Sequence, residues 1–150
     1  MTTVTHTSHV HVDAPVERVF AHVKMPENFY AAMNGTFRAG DAGHITKMEM
    51  AQDDGVGSVY EWESRVMMIP FHATTTREEF VPDEKIVDHT STGVTWICTL
   101  EPEDGGTKLV QTAEVSSKVP GWARLEDLMA WKGDEDLAKM LAFYKEAIEA

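Results

Sequence analysis

The chain has a single cysteine and no long apolar run. Because Cys98 has no second cysteine to pair with, an internal disulfide is excluded, and nothing indicates an oxidising compartment. No apolar stretch approaches the roughly 20 residues that a helix needs to cross a bilayer. The N-terminal segment also lacks the basic start and apolar stretch of a signal peptide. These absences predict a cytoplasmic protein with no segment inserted in a membrane.

Basic residues are also scarce. The chain has 13 Lys and Arg against 25 Asp and Glu, a net charge of −12, and no run of basic residues. A negative field of this size repels a phosphate backbone, and nucleic-acid binding requires basic patches. The composition therefore predicts no nucleic-acid partner. The simplest interpretation of the negative charge is that it keeps the protein soluble.

Motifs for metal or nucleotide chemistry are missing as well. Of the seven histidines, His9 and His11 share a strand face opposite Val10 and Val12, but no second His or Cys pair completes a tetrahedral set. The sequence has no phosphate-binding loop, no nucleophile elbow and no dinucleotide-binding fingerprint. We therefore expect neither a metal nor another cofactor.

What the chain does have is enough apolar sequence for one core, and two clear periodicities. With 150 residues and 43% apolar residues, it is predicted to fold as a single domain over 1–150. Apolar residues at helical spacing predict helices, and alternating ones predict strands. In chain order we predict a strand around 10–12, helices over 16–23 and 27–33, strands over 45–50, 56–68, 71–81, 85–91, 94–101 and 107–117, and a helical segment over 122–148.

Two local features refine this order. Asp104 followed by two glycines predicts a tight hairpin between the last two strands, with Gly105 and Gly106 at its tip. Gly133 interrupts the apolar stripe of the C-terminal segment and is followed by three acidic residues, as at a helix start. Position 133 is therefore either a kink or a break between two helices.

Together these elements predict an α+β fold. Consecutive strands with hairpin-sized links form antiparallel sheets. The long C-terminal helix must bury its apolar stripe, and the sheet is the only surface large enough to cover it. We predict a curved antiparallel sheet of about seven strands wrapped around that helix, with two short helices after the first strand.

Four segments resemble the polyketide cyclase/dehydrase and lipid-transport (START-like, Bet v 1-like, SRPBCC) superfamily. They are VHVDAPVERVF at 10–20, MPENF at 25–29, LEPEDGGT at 100–107 and DLAKMLAFYK at 136–145. Their order and spacing match the family over essentially the whole chain. One departure is that the family's second helix often has Trp where this chain has the run from Tyr30 to Met33.

The resemblance implies the helix-grip fold, with a cavity between sheet and C-terminal helix for an apolar molecule such as a steroid, lipid or polyketide. The expected partner is thus a hydrophobic, aromatic or polycyclic small molecule, bound by a monomer or a homodimer. Fold analogy does not identify the chemistry, because the shared residues maintain the fold.

Strand alternation selects candidates for the lining of that cavity. Glu61 and Glu63 are expensive to bury unpaired, so the opposite face with Tyr60 and Trp62 is predicted to point inward. The same argument applies to the faces that carry Trp96 and Gln111. An ordinary filled core is the alternative. The predicted ligand-binding residues are Trp62, Ser64, Trp96, Cys98, Gln111, Met129 and Gly133, where the missing side chain is expected to leave space.

Cyclase-type catalysis would need a proton donor or acceptor beside a carbonyl group. The candidates are Tyr60, His72 and Glu78, although neither face of strand 71–81 is clearly apolar, so its inner side stays open. Three functions remain: a cofactor-independent cyclase or dehydratase, a non-catalytic carrier of a hydrophobic ligand, and an adaptor of the co-chaperone type. The adaptor would require an exposed apolar patch.

Overall fold

A computed structural model describes residues 3–36, 41–66, 69–116 and 133–150. The strands are β1 (Thr3–Val12), β2 (Asp41–Glu49), β3 (Val59–Val66), β4 (Ile69–Val81), β5 (Lys85–Thr90), β6 (Val94–Glu103) and β7 (Gly106–Ser116). The helices are α1 (Val16–Val23), α2 (Pro26–Thr36) and α3 (Asp134–Glu149), and a 3-10 turn spans Gln52–Asp54.

The strands form one antiparallel sheet in the order β1-β7-β6-β5-β4-β3-β2. After β1 the chain passes through α1 and α2 to the far edge of the sheet and then returns by consecutive hairpins. β1 therefore pairs with the last strand, β7. The predicted α+β fold, with seven strands and two short helices after the first strand, is confirmed.

Strand boundaries differ from the prediction where turns and proline are involved. β3 begins at Val59 because residues 56 and 57 form a turn, in which Gly57 has a φ of 95°. β4 begins at Ile69 and includes Pro70, which pairs with Arg65 on β3. The predicted strands over 56–68 and 71–81 left residues 69 and 70 as a link, whereas both residues belong to β4.

The hairpin between β6 and β7 forms at the predicted place. Glu103 pairs with Gly106, and the two residues between them, Asp104 and Gly105, have φ values of 45° and 80°. Two positive φ angles in succession suit a two-residue hairpin turn. The tip is therefore one residue earlier than predicted. Gly106 instead begins β7, where an added Cβ would collide with the carbonyl oxygen of Val12.

α3 packs its apolar stripe against the inner face of the sheet and against α1 and α2. The alternation of β7 places Leu109, Ala113 and Val115 on that face, all of them buried. The buried residues that α3 contributes are Asp136, Leu137, Met140, Leu141, Tyr144 and Ile148. The helix-grip arrangement thus places the core between α3 and the sheet.

Gly133 lies at the start of α3, not inside a continuous helix. Its φ of 55° and ψ of −118° are non-helical, and the amide of Leu137 donates the first helical hydrogen bond to its carbonyl, at 3.1 Å. Of the two alternatives, a helix beginning after Gly133 is the one observed. The part of the predicted helical segment over 122–132 lies outside the described residues.

Within the described ranges, no helix is both long and apolar enough to cross a membrane.

Candidate functional site

Alternation along the middle strands brings one set of side chains to the face that α3 covers. On β3, Tyr60 is only 2% exposed, whereas Glu61 between the two inward positions is exposed. Trp62 is half-buried on the same face as Tyr60. The predicted inward orientation of Tyr60 and Trp62 therefore agrees with the burial pattern.

β4 shows which of its faces points inward, a question that its sequence left open. Ala73, Thr75 and Arg77 are buried, and the residues between them are not. The pairing of β4 with β5 shifts by one residue between Arg77 and Glu79, as in a β-bulge. Because of this irregularity Phe80, three residues after Arg77, also packs against the core.

A buried ion pair lies at the centre of this inner face. Arg77, 2% exposed, donates from Nε to Asp88 Oδ1 at 2.9 Å and from Nη2 to Asp88 Oδ2 at 3.3 Å. Its Nη1 donates to the Asp54 carbonyl at 2.7 Å, and Nη2 also donates to the Lys24 carbonyl at 3.0 Å. The guanidinium thus joins β4 and β5 to the end of α1 and to the 3-10 turn.

Tyr60 completes this group, because its hydroxyl donates to Asp88 Oδ2 at 3.2 Å. Burial, followed by the charge of Asp88, raises the pKa of Tyr60 well above its ordinary value. The phenol therefore keeps its proton at neutral pH and uses it in the bond to Asp88. In this arrangement Tyr60 acts as a structural donor to the ion pair.

Five aromatic rings from α2, β3 and β6 form a connected cluster beside the ion pair. Phe29 lies edge-on to Trp96, with centroids 5.2 Å apart, and to Tyr30 at 5.5 Å. Tyr30 in turn lies 5.6 Å from Trp62 and 6.1 Å from Tyr60. Tyr30 and Tyr60 are buried, whereas the other three rings are only partly buried. We call these five residues the aromatic cluster.

A small cavity of about 20 Å³ lies between the aromatic cluster, the ion pair and α3. It is lined by Val23, Pro26, Phe29, Tyr60, Arg77, Ile86, Asp88, Trp96, Cys98, Gln111 and Tyr144. A volume of this size holds about one water molecule, whereas drug-sized ligands occupy pockets of about 300–1,000 Å³. The cavity is therefore too small to enclose a whole molecule of that size.

Gln111 and Tyr144 present polar groups in this cavity. Gln111 is 3% exposed and Tyr144 is 2% exposed. Thr7 Oγ1 lies 3.4 Å from the main-chain oxygen of Gln111, but neither the Gln111 amide nor the Tyr144 hydroxyl has a hydrogen-bond partner among the residues that the structure describes. Buried polar groups are nearly always paired, so these two side chains mark a place where a partner belongs.

Cys98 lines the same cavity as a protonated thiol. Burial, followed by the negative charge of Asp88, raises its pKa to about 12. A thiol with such a pKa is a poor nucleophile at neutral pH. Its position at the cavity wall agrees with a lining role.

The other predicted catalytic residues lie away from the cavity. The His72 side chain is 73% exposed, with its Nε2 4.0 Å from Glu63 Oε1. Glu78 is exposed at the irregularity of β4. The structure therefore does not bring His72 or Glu78 together with Tyr60, because both alternate with the buried residues of β4 and lie on its outer face.

Of the predicted ligand-binding residues, Ser64 and Met129 stay predictions, and Gly133 does not lie beside open space. The Ser64 side chain and Met129 lie outside what the structure describes. Gly133 leaves no space, because a Cβ added there would lie 2.5 Å from His6 Nδ1. The expectation that Gly133 opens volume is wrong, since the ring of His6 fills that position.

The sequence prediction of the site did not include Arg77, Asp88, Tyr144 or the second helix. The charged pair was missed because its strand face could not be assigned. Asp88, flanked by Val87 and His89 on β5, gave no signal of its own. Tyr144 was recognised only as part of the helical stripe, and nothing in that stripe separates a lining residue from a packed one.

In the part of the chain that the structure describes, no three His, Cys, Asp or Glu side chains are grouped so that they could hold a metal ion. His11, on the predicted histidine face, instead contacts two carboxylates: Nε2 lies 3.0 Å from Asp13 Oδ1 and Nδ1 lies 3.0 Å from Glu103 Oε1. The expected lack of a metal requirement stays a prediction.

Comparison with known structures places this arrangement in a fold class. Protein Ms6760 from Mycobacterium smegmatis is similar over 97% of this chain and 90% of its own, with a TM-score of 0.67 and 10% identity. Ara h 8.0201 is similar over 99% of both chains, with a TM-score of 0.64 and 12% identity. The Polyketide_cyc-like protein Cgl2372 from Corynebacterium glutamicum is similar over 99% of this chain and 93% of its own, with a TM-score of 0.59 and 18% identity.

At these identities the similarity concerns the fold alone. No family model and no curated protein matches the chain. The chain therefore shares the fold of these proteins, and that fold is the helix-grip arrangement that its four sequence segments predicted.

Proposed function

We propose that this protein binds an apolar, aromatic small molecule between α3 and the inner face of the sheet, as a carrier. The observation that carries the proposal is a cluster of aromatic rings beside a cavity in which Gln111 and Tyr144 have polar groups without partners among the described residues. Small-molecule sites typically combine apolar and aromatic walls with a few convergent polar groups.

The ligand's apolar body is proposed to lie against the partly buried rings. Phe29, Trp62 and Trp96 are each incompletely covered in the described structure. An aromatic ligand would stack on them or meet their edges, and such contacts contribute about 0.5–1.5 kcal/mol each beyond area burial. The cavity of about 20 Å³ would receive one end of the ligand.

Binding without catalysis is favoured by the positions of the ionisable groups. General acid–base catalysis requires a proton donor or acceptor within hydrogen-bond reach of the reacting atom. Tyr60 already donates to Asp88, and Asp88 is paired with Arg77. His72 and Glu78 are exposed. A cyclase or dehydratase activity therefore has no available acid–base pair among the described residues of the cavity.

A titration with the neutral dye Nile red tests the proposal. Binding should raise its fluorescence and saturate, and Phe29→Leu should weaken the affinity about two- to tenfold through the lost ring contacts. The matched control is Phe143→Leu, because Phe143 is also helical but 39% exposed. Equal weakening in both variants, or no saturable binding to the wild-type protein, would contradict the proposal.

A further inference from the structure

We infer that the ligand of the proposed site carries an uncharged oxygen group, a hydroxyl or a carbonyl, that hydrogen-bonds to Gln111 and Tyr144. The inference rests on the proposed function and adds the chemical class of the ligand's polar end. It assigns Tyr144, on α3, and Gln111, on β7, to opposite walls of one cavity.

The first step is the state of these two side chains. Both line the cavity and both are more than nine-tenths buried. Within the described part of the chain, neither the amide nor the phenol makes a hydrogen bond. An amide offers both donors and an acceptor, and a phenol offers one donor and an acceptor, so the pair can satisfy a hydroxyl or a carbonyl oxygen.

The second step is the size of the space. A cavity of about 20 Å³ holds about one water molecule, or a ligand group with a single heavy atom of similar size. An oxygen atom at the end of a flat apolar molecule fits this space, whereas a branched or bulky polar group does not. The atom next to the oxygen would then lie toward the aromatic cluster, where the apolar body is proposed to bind.

The third step is the charge of the site. Arg77 and Asp88 are the charged residues among the described lining, and each is already engaged. Four hydrogen bonds use the guanidinium of Arg77, and both oxygens of Asp88 accept, from Arg77 and from Tyr60. A ligand carboxylate or ammonium would be buried without a counter-charge, which is strongly unfavourable. An uncharged oxygen meets no such penalty.

A neighbouring histidine agrees with this assignment. The ring of His22 lies edge-on to Tyr144, with centroids 5.8 Å apart. Burial lowers the pKa of His22, so at neutral pH it adds no positive charge that could attract a carboxylate.

Three probes of one shape test the inference by displacement of Nile red at pH 7: naphthalene, 2-naphthol and 2-naphthoate. We expect 2-naphthol to bind at least about tenfold more tightly than 2-naphthoate. The affinity ratio of 2-naphthol to naphthalene should fall roughly fivefold in Tyr144→Phe and in Gln111→Leu, because each variant removes a hydrogen bond to the hydroxyl.

The matched control for Gln111→Leu is Gln52→Leu, because Gln52 is exposed in the 3-10 turn. Circular dichroism melting would show whether each variant folds, and the comparison of probes on the wild-type protein does not depend on any variant. Tightest binding of 2-naphthoate, or a naphthol-to-naphthalene ratio that no variant changes, would overturn the inference while leaving the proposed function intact. In the second case the two polar groups bind only water. Failure of naphthalene and of Nile red to bind at all would overturn the proposed function as well.

Discussion

At the scale of single residues, the central feature is a charged pair in the buried interior. Arg77 and Asp88 face each other from neighbouring strands, and Arg77 also binds two main-chain carbonyls from distant parts of the chain. The ring of Phe80 lies 5.4 Å from the guanidinium carbon. This pair connects helix, turn and sheet beside the cavity, and both of its members are already engaged in hydrogen bonds.

The burial of the pair leads to a stability prediction. Arg77→Met should lower the free energy of unfolding by about 3–5 kcal/mol, because it leaves Asp88 as an unpaired buried charge. Lys85→Met removes a pair between the same two strands, with Lys85 Nζ 3.3 Å from Glu79 Oε1, but both side chains are largely exposed. That control should change the free energy by less than about 1 kcal/mol. Urea unfolding of the two variants measures both values, and equal effects would contradict this account.

At the scale of secondary-structure elements, period-two alternation predicted the inner faces of β3, β6 and β7 and failed on β4. Tyr60, Leu100 and Leu109 are large apolar or aromatic residues that alternate with polar ones, so their faces could be assigned. On β4 the inner residues are polar too. Thr75 Oγ1 lies 2.9 Å from Thr90 Oγ1, and Arg77 is paired with Asp88. These polar side chains can be buried because partners on β5 satisfy their hydrogen bonds. The sequence pattern of β4 alone contains no information about those partners.

The junction between β1 and α1 also depends on side chains from several elements. His11, at the end of β1, contacts Asp13 in the link to α1 and Glu103 at the end of β6. Lys145 Nζ donates to the His11 carbonyl at 2.7 Å, and the Asp13 amide donates to Glu149 Oε2 at 2.8 Å. The first strand is thereby joined to both the last hairpin and the C-terminal helix.

This junction predicts a pH dependence of stability. The hydrogen bond to Glu103 is the largest cause that raises the pKa of His11 above 6.5, ahead of the contact with Asp13. A raised folded-state pKa contributes stability that is fully present below pH 6.5 and is lost as the pH rises through the folded-state value. Thermal melting of the wild-type protein and of Glu103→Gln between about pH 5.5 and pH 8.5 should show the larger decline in the wild type.

Glu101→Gln is the control for this prediction, because Glu101 lies on the same strand but is exposed. Its melting temperature should decline with pH as in the wild-type protein. If the melting temperature of Glu103→Gln declines with pH as much as that of the wild-type protein, the titration of His11 does not contribute to stability as expected.

At the scale of the whole molecule, the sequence predicted the fold and the seven-stranded order of elements because helical and alternating patterns are local. The hairpin between β6 and β7 was predicted for the same reason, although its tip lies one residue earlier than expected. For the candidate site, Trp62, Trp96, Cys98 and Gln111 lie on the inner faces that alternation assigned, and their role in ligand binding stays a prediction. Tyr144 and the Arg77–Asp88 pair come together only through the packing of α3 and the pairing of β4 with β5, and Gly133 was misjudged because His6, far away in sequence, occupies the space.

The central claim is that an aromatic ligand lies against the inner face of the sheet, and the most direct test is an NMR measurement of intermolecular nuclear Overhauser effects. With 2-naphthol bound to the wild-type protein, the account predicts effects from the probe to the ring protons of Phe29, Trp96 and Tyr144. These three residues line the cavity from α2, β6 and α3. Effects confined to exposed residues such as His72, or none from a saturating probe to any of the three rings, would contradict it.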